Sequence, residues 1–362
     1  MQQVGNPTLS TRSQFRRDEL IGTWISGASV TVHFARVLPY LICLAIWAIA
    51  TLGPASATGQ SQWQWRQASP VPEARSEVSV AGDGSYVYFL GGFAEGPSAP
   101  TGMFRYDPES DVWAELPSLS EGRHHAGLAV LDNKLVLIGG YRGTSWEPLA
   151  DVQILDLKTR TWRQARPMPT PRGALAVAVL DGKIHAIGGH DGERSLAVHE
   201  IYDPVADEWT TAAPIASPRN HHASAVLAGR IYIFGGRDEA TAEMDSTEVY
   251  AAAADRWDSA APLPAGRSGI AAAVIDGRAV VFGGETFGAE RKTFGEAELY
   301  DPQADSWSSL PPMPQSRHGL GAATIGSRIY VIAGGPTAGL SFSAENSYLE
   351  RIGPADMPEA GR

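Results

Sequence analysis

Apolar residues in this chain come in short runs of four to six, broken by turn residues, and nowhere from Trp63 onward does a helical period persist. A representative stretch runs from Tyr202 to Gly236. It contains Tyr202-Asp203-Pro204, Trp209, Arg219, an apolar run, Ala228-Gly229-Arg230, a second apolar run and Gly235-Gly236. The same marks recur along the chain. Tryptophan stands at 65, 113, 162, 209, 257 and 307, and an arginine follows each ten residues later, at Arg75, Arg123, Arg172, Arg219, Arg267 and Arg317. Glycine pairs close the units at Gly91-Gly92, Gly139-Gly140, Gly188-Gly189, Gly235-Gly236, Gly283-Gly284 and Gly334-Gly335. Six copies at 47 to 51 residue intervals predict a radial array of small sheets.

Each unit reads as four strands. An apolar inner strand such as Leu128 to Leu131 follows the arginine, and a second strand ends at the glycine pair. Between them lie Asp132-Asn133, Asp181-Gly182, Ala228-Gly229 or Asp276-Gly277, which tolerate the positive φ of a two-residue hairpin. The third strand ends near the tyrosine and the outer strand bears the tryptophan. Proline-rich crossovers such as Pro167-Met168-Pro169-Thr170-Pro171 lead onward. The last unit has Tyr348 but Ala355 where the tryptophan should stand. Gln62 to Gln67, carrying Trp65, therefore supplies the missing outer strand and closes the ring.

A glycine pair, then Tyr, then Trp seven residues later resembles the Kelch repeat. The pairs are Tyr106 with Trp113, Tyr202 with Trp209, Tyr250 with Trp257 and Tyr300 with Trp307, while Leu155 replaces Tyr before Trp162. The resemblance spans roughly residues 63 to 352 and implies an all-β, six-bladed propeller with four antiparallel strands per blade. Kelch propellers serve as protein-binding platforms, substrate receptors and occasionally enzymes, so function has to be argued from the site.

The formal net charge is −11; residues 1 to 57 hold four Arg, one Asp and one Glu, which leaves the remainder at −13. Such a surface repels phosphate backbones and argues against nucleic acid as a partner. Val37 to Leu52 is almost wholly apolar, follows Arg36 and precedes Ala55-Ser56-Ala57, the layout of a secretory signal. Sixteen residues are short for a membrane span. The expected division is thus an export segment over 1–57, a propeller over 63–352 and a tail over 353–362. The propeller is expected to be periplasmic or extracellular and monomeric, and to touch a membrane only through an uncleaved N-terminal segment. The single cysteine, Cys43, lies in the apolar segment, so no disulfide is expected in the mature chain.

A residue repeated in every blade belongs to the blade, whereas chemistry needs residues that break the repeat. In Kelch propellers the start of the inner strand and the loop after the glycine pair line the channel mouth. That resemblance places Arg75, Ser76, Arg123, His124, Arg172, Gly173, Arg219, Asn220, Arg267, Ser268, Arg317 and His318 at the mouth, joined by Tyr141, Arg142, His190, Arg237 and Glu285. Two readings of the six arginines stay open: bonds to the carbonyls that join blades, or forks for an anionic ligand such as an acidic glycan or peptide. Histidines cluster at His124-His125, His221-His222 and His318. Strand alternation lets each pair offer only one ring to the channel, so neither a metal nor another cofactor is expected. The loop Glu285–Glu298, with Arg291-Lys292 between Phe287 and Phe294, is the longest after a glycine pair and a candidate partner contact. The expected function is an exported recognition module for a protein segment or anionic ligand. The alternative is a sugar-active propeller like the exported N-acetylneuraminate epimerases, which use a Glu and an Arg as proton-transfer groups.

Overall fold

The inner hairpins form where their turn chemistry permits. Ala176–Leu180 pairs with Lys183–Ile187 across Asp181-Gly182, whose φ values are +49° and +74°; Asp132-Asn133, Ala228-Gly229 and Asp276-Gly277 adopt the same left-handed pair. The computed structural model describes residues 62–353 apart from Ala242 and Ala289. These residues build six antiparallel sheets of four strands, numbered here as blades 1 to 6 in chain order. The candidate export segment, Cys43 and residues 354–362 lie outside the described part. Among the described residues no helix is long and apolar enough to cross a membrane.

The hydrophobic core is divided into six layers, one between each pair of neighbouring blades. Between blades 4 and 5, for example, Phe234 and Val249 meet Val281 and Tyr300, while blades 6 and 1 share Tyr330, Ile332, Phe89 and Tyr106. Every repeat tryptophan bridges such a layer. Its indole N–H donates to the crossover leading out of the preceding blade, from Trp113 to Ser69 O (3.0 Å) through Trp307 to Ala261 O (2.9 Å). Burying an indole with its one donor satisfied explains the recurrence.

Gln62–Gln67 pairs antiparallel with Asn346–Ile352, and Trp65 reaches blade 5 through a bond to Pro311 O (2.8 Å) and an edge contact on Phe282. The circle therefore closes as expected, with one correction in the last blade. Trp65 stands opposite Leu349, as Trp162 stands opposite Leu155, and not opposite Tyr348. The glycine pair is likewise Ala333-Gly334, with φ of +56° and +97°, because Ala333 takes the left-handed place that glycine holds elsewhere. Gly335 follows it and gives the appearance of a pair one residue late.

Two closed hydrogen-bond circuits surround the axis. The second residue of each glycine pair donates to the carbonyl of the next blade's arginine, from Gly92 to Arg123 O (2.9 Å) round to Gly334 to Arg75 O (2.8 Å). Nearer the axis lies the residue two after each arginine. The amide of His125 bonds Glu77 O, Ala174 bonds His125 O, His221 bonds Ala174 O, Gly269 bonds His221 O, Gly319 bonds Gly269 O and Glu77 bonds Gly319 O, at 2.7 to 3.2 Å. All six adopt left-handed backbone, φ +54° to +65°. Glycine takes that conformation freely, but Glu77, His125, Ala174 and His221 bear its cost.

Candidate functional site at the channel mouth

The six arginines sit behind the channel wall, each no more than 1% exposed. Five of them donate to the carbonyl sixteen residues on, as Arg219 does to Gly235 O (3.0 Å) and Arg317 to Ala333 O (2.6 Å); Arg172 uses Ala186 O (3.0 Å). In blades 3 to 5 a buried glutamate on the third strand completes the set, with Arg172–Glu200, Arg219–Glu248 and Arg267–Glu298 all at 2.6 Å. Arg75 instead lies over Phe89 and Phe104 and pairs with Glu73. Arg317 has no carboxylate bonded to it, and burial brings its pKa down to about 10 against a partial upward pull from Glu345. The expected cationic rim is therefore corrected. Arg75, Arg123, Arg172, Arg219, Arg267 and Arg317 spend their donors on the fold, as a fork buried against carbonyls and a carboxylate must.

The remaining predicted residues divide by depth. Ser76, His221, Arg237, Glu285 and His318 line a cavity of about 600 Å³ at the mouth. His190 and Asn220 line an adjoining recess of about 220 Å³ with Tyr141. His124 is buried behind the wall, stacked on Phe93 at 3.9 Å, and Ser268 is buried and accepts from Arg237 (3.2 Å). Arg142 stays on the outer rim, half exposed and paired with Glu121 and Glu147.

Residues that the repeat pattern did not single out complete the cavity. Phe93, Pro97, Trp146, Phe287, Leu340 and Phe342 form its walls. Trp146 is 56% and Leu340 75% exposed, so a broad apolar surface faces an open mouth. Phe287 belongs to the elongated loop, which folds as a short hairpin, Glu285–Thr286 with Lys292–Thr293. Arg237 and Arg291 both lie on the Phe287 ring, at 5.0 and 4.8 Å. The loop thus builds the site wall, while Phe294 anchors it in the blade at 5% exposure.

The floor is charged. Glu77 and His125 bring Oε2 and Nε2 to 3.1 Å, and His318 Nε2 lies 3.6 Å from both Glu77 Oε1 and Glu285 Oε2. Glu285, 2% exposed, accepts from Arg237 (3.0 Å) and from the Gly339 amide (2.8 Å). Arg237 also donates to His221 Nε2 (3.1 Å). Burial pushes the Glu77 carboxyl up, but the pull of His125, His221 and His318 prevails and holds it well below the usual carboxylate range. His221 is driven well below the usual imidazole range by burial and by Arg237. Glycine makes room here: a Cβ on Gly319 would lie 2.5 Å from Glu77 Oε1. Glu77 escaped the sequence reading, although the positions two after each arginine read Glu, His, Ala, His, Gly, Gly and break the symmetry plainly.

The family profile described as the Attractin/LZTR1 beta-propeller matches residues 87–341. The chain belongs to this family of Kelch-repeat propellers. Among curated proteins it is 29% identical to human Kelch-like protein 34 over 117 residues, 29% of this chain and 18% of that protein. It is 31% identical to Kelch-like protein terF of Aspergillus terreus over 124 residues, 30% of this chain and 26% of the relative. The matched stretches thus span about a fifth to a quarter of those relatives. The solved structure of YjhT aligns with a TM-score of 0.66 at 18% identity, over 76% of this chain and 95% of that one. At that identity the likeness shows the fold alone.

Proposed function

We propose that this Kelch propeller is an exported recognition module that captures a segment of another protein in the aromatic-walled cavity at the channel mouth. The apolar stretch ahead of the propeller supports export. Kelch propellers typically act as protein-interaction modules, and the cavity is lined by loop residues that the blades do not share. The observation that carries the reading is the set of exposed apolar side chains, Trp146, Phe287 and Leu340, gathered over a polar floor. Rigid aromatic anchors beside hydrogen-bonding groups are how interfaces concentrate affinity. With the six repeat arginines committed to the fold, the preferred segment carries an apolar or aromatic anchor, not a run of acids.

Selection from a random peptide display library against the full chain is expected to yield a consensus with such an anchor, and Trp146→Ala with Phe287→Ala is expected to weaken binding of the selected peptide at least about 30-fold, from two anchors of 1 to 2 kcal/mol each. Failure to enrich any consensus, or equal binding by the double variant, removes the reading.

A second reading, sugar chemistry, is favoured by the Arg237–Glu285 pair at the base of a cavity with stacking walls. It expects anomeric exchange of sialic acid, followed by proton magnetic resonance, to run faster than in buffer and to lose that acceleration in Glu285→Gln. Exchange at the buffer rate excludes it.

A further inference from the structure

Three imidazoles converge on Glu77, and their outer hydrogen bonds determine which nitrogen of each ring carries the proton. His124 Nε2 lies 2.9 Å from Ser145 O, to which it can only donate, so its Nδ1 is an acceptor. That nitrogen meets His125 Nδ1 at 2.5 Å, which makes His125 Nδ1 the donor. Asn220 donates through Nδ2 to Ser195 Oγ (2.7 Å), whose hydroxyl bonds Glu239, so the Asn220 Oδ1 is the atom that meets His221 Nδ1 and accepts from it. His318 Nδ1 donates to Gly335 O (3.0 Å). In the neutral ring this leaves a lone pair on Nε2 of His125, 3.1 Å from Glu77, and of His318, 3.6 Å from Glu77 and from Glu285, while Nε2 of His221 accepts from Arg237 (3.1 Å).

His125 Nε2 and Glu77 Oε2, 3.1 Å apart, need a positive charge between them, which either a proton on the ring or a metal ion supplies. The candidate ligand atoms of Glu77, His125 and His221 all lie within 4.8 Å of one another. Ligands bonded at about 2.1 Å in a tetrahedron sit roughly 3.4 Å apart, so the spread needs only small side-chain adjustment. His221 has its other N–H held by an amide oxygen, the usual support of a metal-bound imidazole, and that of His125 is held by the His124 ring nitrogen. The closed backbone circuit under these residues holds two of the rings and the carboxylate in left-handed positions that turn them toward one another. Ser76 Oγ, on the cavity lining and 1% exposed, has no hydrogen-bond partner among the described residues.

We infer that Glu77, His125 and His221 form a binding site for one divalent first-row transition ion of the zinc class, at the mouth of the channel and open to the cavity above. Two imidazoles and a carboxylate without thiolates suit such an ion better than calcium or magnesium, and leave coordination positions free on the cavity side. His318 and Glu285 also lie within 4.8 Å of Glu77, with His318 Nε2 3.6 Å from each carboxylate. Arg237 competes for the His221 lone pair and would be left to Glu285 when the ion is bound. This inference is independent of the peptide-capture reading, which requires only the walls.

The test is zinc titration of the full chain, first stripped with a chelator, by calorimetry and by metal analysis after desalting. One equivalent is expected to be retained and to raise the melting temperature. Glu77→Gln and His125→Asn are expected to lower affinity at least about 100-fold. Asn220→Ala, which only frees the far side of His221, is expected to cost about 10-fold. Glu208→Gln, on an exposed outer strand, leaves uptake unchanged. Metal-free melting curves of each variant establish that it is folded. No retained equivalent in the wild-type chain, or equal retention by folded Glu77→Gln, overturns the site. So does a nitrogen-15 spectrum showing His125 as an imidazolium in the presence of excess zinc, because a proton would then be the cation between the two groups.

Discussion

A guanidinium repeated six times can serve a ligand or the scaffold, and at the residue scale burial decides between them. Arg219 uses Nε on Ser217 O, Nη1 on Gly235 O and Ser246 O, and Nη2 on Ser246 Oγ and Glu248, leaving nothing to offer a visitor. Burial lowers its pKa and the Glu248 carboxylate, 2.6 Å away, opposes that shift. Removing one partner strands the other. Arg219→Ala is expected to cost about 3–5 kcal/mol in urea unfolding, whereas Arg219→Met with Glu248→Leu should cost appreciably less, since the stranded carboxylate is gone. A double variant as unstable as the single one would show that the carbonyl bonds, not the ion pair, carry the effect. The carboxylates were present in the sequence at 28 to 31 residues beyond their arginines. They went unpaired because that separation has meaning only after two intervening strands have been placed in register.

At the scale of the element, most of the blade was legible, because each strand is bounded by residues with one physical use. Asp-Gly and Ala-Gly turns demanded positive φ and received it, and the orphan strand at Gln62–Gln67 was placed by the missing tryptophan alone. The last blade slipped by one residue because a second glycine, Gly335, follows a pair whose first member is Ala333; only backbone φ separates the two frames. The site was legible in outline and not in detail. Strand alternation led to the expectation of one ring from each histidine pair at the axis, and the structure brings His125 and His221 together beside Glu77. What alternation could not supply is the left-handed residue after the first two of the inner segment, which turns Glu77, His125 and His221 inward together. Nothing in a single repeat marks that conformation, and Glu77 there looks like an ordinary surface acid. The cavity walls were hidden for a different reason. Trp146, Leu340 and Phe342 lie in loops without a repeat position, and their convergence depends on loop paths that local pattern does not encode.

For the whole molecule, stability belongs to the circle. Each blade buries apolar surface only against its two neighbours, and both backbone circuits run through all six blades without a break. A linear array would fray from its ends, whereas a closed one has no end from which to open. The closure rests on one strand. Gln62–Gln67 contributes the register from Gln62–Ile352 to Gln67–Ser347, the Arg66–Glu350 ion pair at 2.8 Å and the two contacts of Trp65 with blade 5. Deleting residues 62–67 uncovers the edge at Asn346–Ile352 and the apolar layer beneath it, and is expected to lower the melting midpoint by about 10 °C or more and to replace a single transition with a broad one. Loss of six residues could act simply through lost contacts, so a permuted chain separates the two causes. Ile352 lies directly opposite Gln62, which allows a two-residue Asn-Gly turn to join them and a new N-terminus to begin at Ala68. That permutant keeps every contact of the strand but draws it from the other end of the chain. It is expected to melt in one transition within a few degrees of the parent. If it instead melts like the deletion, the covalent link from Gln67 to Ala68 is what holds blade 6 to blade 1, and closure by strand pairing is not the source of cooperativity.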